Sequence, residues 1–369
     1  MHRMSDKKGN IVFFNSTKVW GGGEKWHFDT AKTFTESGWK VTVFCHRDGE
    51  LKNRLAKANI PFVAVKITNF TFLQPWKIIS LARKLKSTGA NTIIMNLSAD
   101  LKAAGLAARR ACFKNIIYRR GSAIPVKNTF FNRYLFSKVV TNVLANSFAT
   151  RQTVLQNNPA LIDPEKIKVI YNGLKLNEYE NVPEMDIRSE SDELIIGSIG
   201  RMVEQKNQKD LIVLAAKLKE MKIACKVLIV GDGNMREELE QRRMELNVEE
   251  EVEFLGYQQD VRAFLQTIDI FVLTSKWEGF GYVLAEAMCY KKPVLGYDLS
   301  SNPELIEHGK NGLLIPAFNT IRLAREVMKL SKDQLRINQM GKSGFEMVHA
   351  RFDFQKNVKE VEEWIASLG

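Results

Sequence analysis

The chain has 369 residues, is 45% hydrophobic and 26% charged, and carries four cysteines, none in a CxxC pair. That is the length of two domains and the composition of a globular protein, so disordered, fibrous and disulfide-framework classes are excluded. The net charge of +12 hides a split: 28 Lys+Arg stand against 9 Asp+Glu up to Asn172, and 26 against 33 beyond it.

Short apolar, β-branched runs alternate with amphipathic segments along both halves. In the first half, strands are predicted near residues 11–15, 41–45, 62–65, 92–96, 115–118, 139–145 and 167–170, with helices between them at 24–37, 76–87 and 101–111. Residues 175–193 are acidic, poorly patterned and contain Pro183, and read as a linker. In the second half, strands fall near 194–199, 226–230, 252–255, 270–273, 294–296 and 312–315, again with helices between, and a last helix spans 353–368. Such alternation implies parallel sheets built from βαβ units, hence two doubly wound α/β (Rossmann-like) domains facing a cleft. The expected division is 1–172, a linker at 173–193, 194–350, and a final helix at 351–369. No run of about 18 apolar residues offers a membrane span. The start, Met1 to Lys8, lacks the apolar segment of a secretion signal, so the expected setting is cytoplasmic and reducing.

Ligands of open α/β sheets bind beyond the carboxyl ends of strands, and the informative residues stand there. After the first strand, Trp20-Gly21-Gly22-Gly23-Glu24 leads into a helix whose free N–H groups suit anionic or polar oxygens. It is not GxGxxG, and no acid closes the second strand as a dinucleotide fingerprint requires. Gly200-Arg201 and Lys206 follow the first strand of the second half, and two cations on one loop suit a diphosphate. Gly231-Asp232-Gly233 ends the next strand in a turn with room for a flat ring or a ribose. Glu278, Gly279, Phe280, Gly281, Tyr282, Val283, Leu284 and Glu286 follow residues 270–273. Carboxylates accept paired hydrogen bonds from vicinal hydroxyls, and the glycines and the helix start expose N–H groups to phosphate oxygens.

Taken together, these elements resemble a retaining glycosyltransferase of the GT-B fold, in family 4. Asn172-Gly173, Asn302-Pro303-Glu304-Leu305-Ile306, Gly309 and Asn311 to Leu314 add to the resemblance, which covers nearly the whole chain. It implies that the N-terminal domain binds the acceptor and that the last helix packs back on that domain. It implies a UDP-, GDP- or ADP-sugar as donor, with no cofactor and no metal. Arg201 and Lys206 would bind its diphosphate, Glu278 and the Gly279–Gly281 backbone the transferred sugar, and Glu286 the ribose hydroxyls. Arg201, Lys206 and Glu278 would be the catalytic set, and Gly22, Gly23, Gly231 and Gly233 would join the donor-binding residues. The reaction would move a hexose-like unit to a glycan or lipid-linked acceptor, as in cell-surface polysaccharide or lipopolysaccharide synthesis.

Many relatives carry a His after the fifth strand, where this chain reads Tyr118-Arg119-Arg120. An Arg cannot act as a base at neutral pH, so Arg119, Arg120 and Asp100 are candidates for acceptor or phosphate contacts. Residues 126–138 mix aromatics and cations at helical spacing, which suits either a core-facing helix with a wet side or an interfacial helix on anionic headgroups. The second option makes the enzyme peripheral to a membrane and ranks above nucleic-acid binding. Competing functional readings are a sugar-nucleotide epimerase of the same shape and a non-catalytic binding protein.

Overall fold

The computed structural model describes residues 8–180 and 193–369, so most of the predicted linker lies outside the described residues. The chain divides into two units: residues 1–172 with 357–369, and residues 173–356.

In the first unit, seven strands form one parallel sheet: β1 (Asn10–Asn15), β2 (Lys40–His46), β3 (Phe62–Val65), β4 (Thr92–Met95), β5 (Asn115–Arg120), β6 (Asn142–Ala145) and β7 (Ile167–Val169). Their order is β3-β2-β1-β4-β5-β6-β7. Runs such as Ile11–Phe14 and Ile93–Met95 are wholly buried. This is what a parallel sheet covered on both faces demands of its strands. Because the order reverses at β1, the chain leaves β1 and β4 toward opposite flanks, and a polar crevice remains beyond their ends.

The second unit repeats the design with six strands: β8 (Leu194–Ile199), β9 (Cys225–Val230), β10 (Val252–Gly256), β11 (Ile270–Leu273), β12 (Val294–Tyr297) and β13 (Gly312–Ile315). The order is β10-β9-β8-β11-β12-β13, all parallel, so its reversal lies between β8 and β11. The doubly wound fold predicted for both halves is therefore present.

Local differences from the sequence reading have simple causes. The predicted sixth strand loses 139–141 because Val139 closes the preceding helix, Phe130–Lys138, donating its N–H to Leu135 O at 3.0 Å. That helix starts later than residue 126 because Thr129 caps it, its hydroxyl accepting from Asn132 N at 3.2 Å. The helix predicted at 101–111 starts at Ser98 and runs to Arg110, with a wider π turn over Leu101–Gly105. The last helix, Phe354–Ser367, is held in the first unit from Asn357 onward. Asn357 donates to Tyr171 O at 3.1 Å, Trp39 Nε1 to Glu362 at 2.8 Å, and Lys168 pairs with Glu360 at 3.0 Å.

The loops after β8 and β9 lie backbone on backbone. Gly200 N donates to Val230 O and Met202 N to Asp232 O, each at 2.9 Å. Gly231 has φ +135°, and a Cβ there would stand 2.0 Å from Gly200 O, so both conformation and space exclude a larger residue. Gly231→Ala should lower the stability of the protein by roughly 3 kcal/mol, since overpacking and backbone strain act together. Urea unfolding midpoints would check this, and an unchanged midpoint would show that the two loops can part at little cost.

Candidate functional site

The crevice of the second unit is built from the loop after β8 and the loop after β11. Lys206 and Glu278, one from each loop, meet there: Lys206 Nζ donates to Glu278 Oε1 at 2.6 Å, with side chains only 15% and 10% exposed. The Lys206 stem runs along Gly200. Arg201 is exposed, and its guanidinium has no partner among the described residues.

The two loops are pinned by polar side chains. Thr274 donates its hydroxyl to Asn207 O at 3.0 Å, Gln208 Nε2 to Arg201 O at 3.0 Å, and Gln205 Nε2 to Trp277 O at 2.8 Å. A third loop clasps Glu278 by its backbone. Ser300, at φ +54°, accepts from Glu278 N at 3.0 Å and donates to Glu278 O at 2.7 Å, and Ser301 donates to the same oxygen at 3.1 Å. The Glu278 backbone is therefore held by bonds that do not depend on Lys206.

Gly279, Phe280 and Gly281 are buried and lead into the helix Tyr282–Cys289. Gly281, at φ +80°, is the N-cap of that helix and, being glycine, brings no side-chain acceptor of its own. Tyr282 and Val283 are half-buried in its first turn, whereas Leu284 is fully buried and serves packing. Glu286 faces Tyr179, whose hydroxyl donates to Glu286 Oε1 at 3.1 Å. Burial, and then the Glu286 charge, push the Tyr179 hydroxyl far above its ordinary pKa, so it stays a donor. Sequence reasoning missed Tyr179, which lies in a stretch that looks like linker but forms a turn of the second unit, Leu176–Tyr179. Gly231 and Gly233 face the loop after β8 at Gly200 O and Met202 O, so their missing side chains serve loop packing there.

The first unit has a crevice of its own, beyond β1 and β4. Asp100 is fully buried there and accepts from Ser16 Oγ at 2.5 Å, Ser16 N at 3.3 Å and Leu97 N at 3.2 Å. Burial pushes its carboxyl up to about 7, against the pull of those bonds, and the Glu24 charge adds to the rise. Gly21 caps the helix Gly22–Glu36, Glu24 accepts from Asn15 at 3.0 Å, and Gly23 packs on the Asn96 amide. Arg119 is 2% exposed; it donates to Asn96 Oδ1 and Asn172 Oδ1, each at 2.9 Å, and stacks on Trp26 with 4.2 Å to the ring centroid. Burial and then the Arg119 charge hold the His27 imidazole down at about 3, so His27 is neutral. Arg120 donates to the backbone carbonyls of Ser122 and Ile124 and lies against Tyr118. Arg119 thus ties together the ends of β4 and β5 and the segment at Asn172, and Arg120 organises the turn after β5. Among the described residues no group of His, Cys, Asp and Glu could hold a metal ion, and no helix is long and apolar enough to cross a membrane.

Two family models match the chain: "Glycosyltransferase Family 4" over residues 20–178 and "Glycosyl transferases group 1" over residues 184–347. The N-acetyl-alpha-D-glucosaminyl L-malate synthase of Bacillus anthracis is 30% identical over 220 residues, which is 58% of this chain and 57% of that protein. The chain therefore spans little more than half the length of that relative. The N-acetylgalactosamine-N,N'-diacetylbacillosaminyl-diphospho-undecaprenol 4-alpha-N-acetylgalactosaminyltransferase of Campylobacter jejuni is 27% identical over 271 residues, covering 70% of this chain and 68% of that protein. Among solved structures, Anabaena Alr3699/HepE in complex with UDP and glucose matches with a TM-score of 0.81 at 25% identity, covering 97% of this chain and all of that one.

The buried carboxyl of the first unit has a measurable signature. Asp100 titrates near 3.8 in an unfolded chain and about 7 when folded. The stability it contributes is full below the first value and is lost as pH rises through the second. Asp100→Asn does not titrate, so the variant should gain stability relative to the parent from about pH 4 to about pH 7 and level off above. Urea midpoints of both proteins across that range would check it. A difference independent of pH would mean that the carboxyl is ionised throughout.

Proposed function

Because the chain belongs to the GT-B glycosyltransferases, we propose that it moves a hexose-like unit from a nucleoside-diphosphate sugar to a glycan or lipid-linked acceptor. We place the reaction in cell-surface polysaccharide or lipopolysaccharide synthesis, at an anionic membrane surface, without metal and with retention of configuration. The observation that carries this reading is the Lys206–Glu278 pair at the strand-order reversal of the second sheet, with Arg201 beside it on the same loop.

The chemistry follows from what those groups can do. When the glycosidic bond to the donor breaks, negative charge accumulates on the departing diphosphate, and fixed cations at that point lower the barrier. Arg201 and Lys206 supply two. A diphosphate that draws Lys206 toward itself leaves the Glu278 carboxylate free to accept hydrogen bonds from sugar hydroxyls, while the Ser300 and Ser301 bonds hold the Glu278 backbone. Backbone N–H groups of Gly279–Gly281 and of the helix start would share the phosphate oxygens. Glu286, oriented by Tyr179, would take the two ribose hydroxyls. The first unit, with Asp100, Arg119 and Arg120, would bind the acceptor, and Gly22 and Gly23 would join the donor-binding residues. The solved Anabaena relative with UDP and glucose supports a uridine nucleotide as the first donor to try.

Lys206→Ala should cut donor turnover by about a hundredfold or more, the usual effect of removing a fixed charge from a leaving group. Tyr179→Phe should instead raise KM for the donor several-fold with kcat little changed, since it loosens a contact made equally in ground and transition states. Thermal shifts with uridine, guanosine and adenosine diphosphates should rise for one of them. An unaltered turnover in the Lys206 variant, at wild-type stability, would sink the diphosphate assignment.

A further inference from the structure

We propose that the first unit docks on an anionic lipid bilayer through one aromatic patch built by two segments, residues 70–76 and 130–134. The proposal deepens the membrane-surface reading above and assigns it to named side chains.

Single exposed apolar residues are ordinary on a protein surface, but clustered ones mark an interaction site. Phe70, Leu73 and Trp76 are 69%, 63% and 67% exposed, and Phe130 is 78% exposed. The two segments are joined by their rings: Phe72 stacks on Phe131 at 4.7 Å between centroids, and Phe131 on Tyr134 at 6.4 Å. Phe70, Leu73 and Trp76 are close to Phe72 in the chain, and Phe130 is next to Phe131. The helix Phe130–Lys138 buries Leu135 and Phe136 and packs Phe131 against the core, which leaves Phe130 and Tyr134 exposed.

The surroundings select the partner. Lys102 Nζ lies 5.7 Å from the Phe72 ring centroid and the Arg109 guanidinium 5.9 Å from that of Tyr134, while Arg133 is exposed within the second segment and Lys77 and Lys138 are exposed just beyond the two. From Leu51 to Ile162 the chain carries one acid, Asp100, and that side chain is wholly buried. No carboxylate of this stretch therefore reaches the surface to repel anionic headgroups. Aromatic rings at the headgroup level, lysine and arginine around them and no acids are what an interfacial anchor requires. A nucleic acid fits less well, because it needs open ring faces for stacking. Here the faces of Phe72, Phe131 and Tyr134 are taken by one another and by cations. A second copy of the chain would bring two acid-free surfaces together, with like charges opposed.

The full chain should be tested by flotation with phosphatidylcholine vesicles, with and without phosphatidylglycerol. Binding is expected to the anionic vesicles and to weaken with salt. Trp76→Ser and Phe130→Ser should each lower partitioning by about tenfold, from the apolar area withdrawn from the bilayer, while urea midpoints stay at the parent value because both positions are exposed. With brominated acyl chains, the quenchable tryptophan emission should fall in Trp76→Phe, which retains binding. If the parent binds no vesicle, the membrane reading falls and donor turnover is unaffected. If it binds but the serine variants bind equally, this patch is the wrong surface. Displacement of the protein from vesicles by a single-stranded oligonucleotide, or concentration-dependent self-association abolished by Phe130→Ser, would assign the patch to those partners and overturn the proposal.

Discussion

Everything polar in this protein is organised by one topological constraint, the reversal of strand order in each sheet. A parallel sheet covered on both faces has no surface of its own to offer, since its strands must be apolar throughout. Chemistry can enter only where two neighbouring strands send the chain to opposite flanks and leave their ends uncovered. In the first sheet that point lies between β1 and β4 and holds Ser16 and Asp100; in the second it lies between β8 and β11 and holds Lys206 and Glu278. The two pairs occupy equivalent places and differ in kind. Ser16–Asp100 is sealed, and burial raises its carboxyl to about 7. Lys206–Glu278 is an ion pair with a little of each side chain in water, so an incoming anion can compete for the lysine.

Buried ions are tolerated only with enough partners, and the two units meet that condition differently. Arg119 is the largest fully buried side chain of the first unit and has two amide oxygens and an indole face to itself. It joins residues after β4, within β5 and at Asn172, so its charge holds three parts of the unit in register. Around Lys206 and Glu278 the stabilising bonds are mostly to backbone, from Thr274, Gln205, Gln208, Ser300 and Ser301. Such a frame keeps the loops in shape whichever partner Lys206 takes.

Much of this was legible in the chain itself. The buried β-branched runs announced the strands to within a few residues, and the glycines and cations after β8 and β11 marked the loops that now meet at Lys206 and Glu278. What escaped was whatever depends on contacts distant in sequence. Tyr179 sits in an acidic, unpatterned stretch, and only its position against Glu286 gives it meaning. Ser300 has no local signature beyond a turn, yet it fixes Glu278 from 22 residues away. Arg119 read as a candidate for acceptor or phosphate contacts, and its burial between Asn96, Asn172 and Trp26 has no local signature. The helix at 126–138 could be weighed as an interfacial element because its own spacing mixes rings and cations. Its partner segment at 70–76 has no periodicity, so the Phe72–Phe131 contact that joins them could not be read.

The charge split between the halves also becomes a surface arrangement. Average charge says nothing about direction, and a basic half could scatter its cations evenly or use some of them inside. Here two of the cations in the acid-free stretch, Arg119 and Arg120, are drawn into local structure. The final helix brings its own acids to the first unit, and two of them are already matched: Glu360 by Lys168, and Glu362 by Lys8 and the Trp39 indole. Those carboxylates are thus partly neutralised where they sit, while the exposed cations at 77, 109, 133 and 138 and the half-buried Lys102 face no carboxylate from their own stretch of chain. Part of the positive field of this unit therefore surrounds its exposed rings, where it attracts an anionic surface.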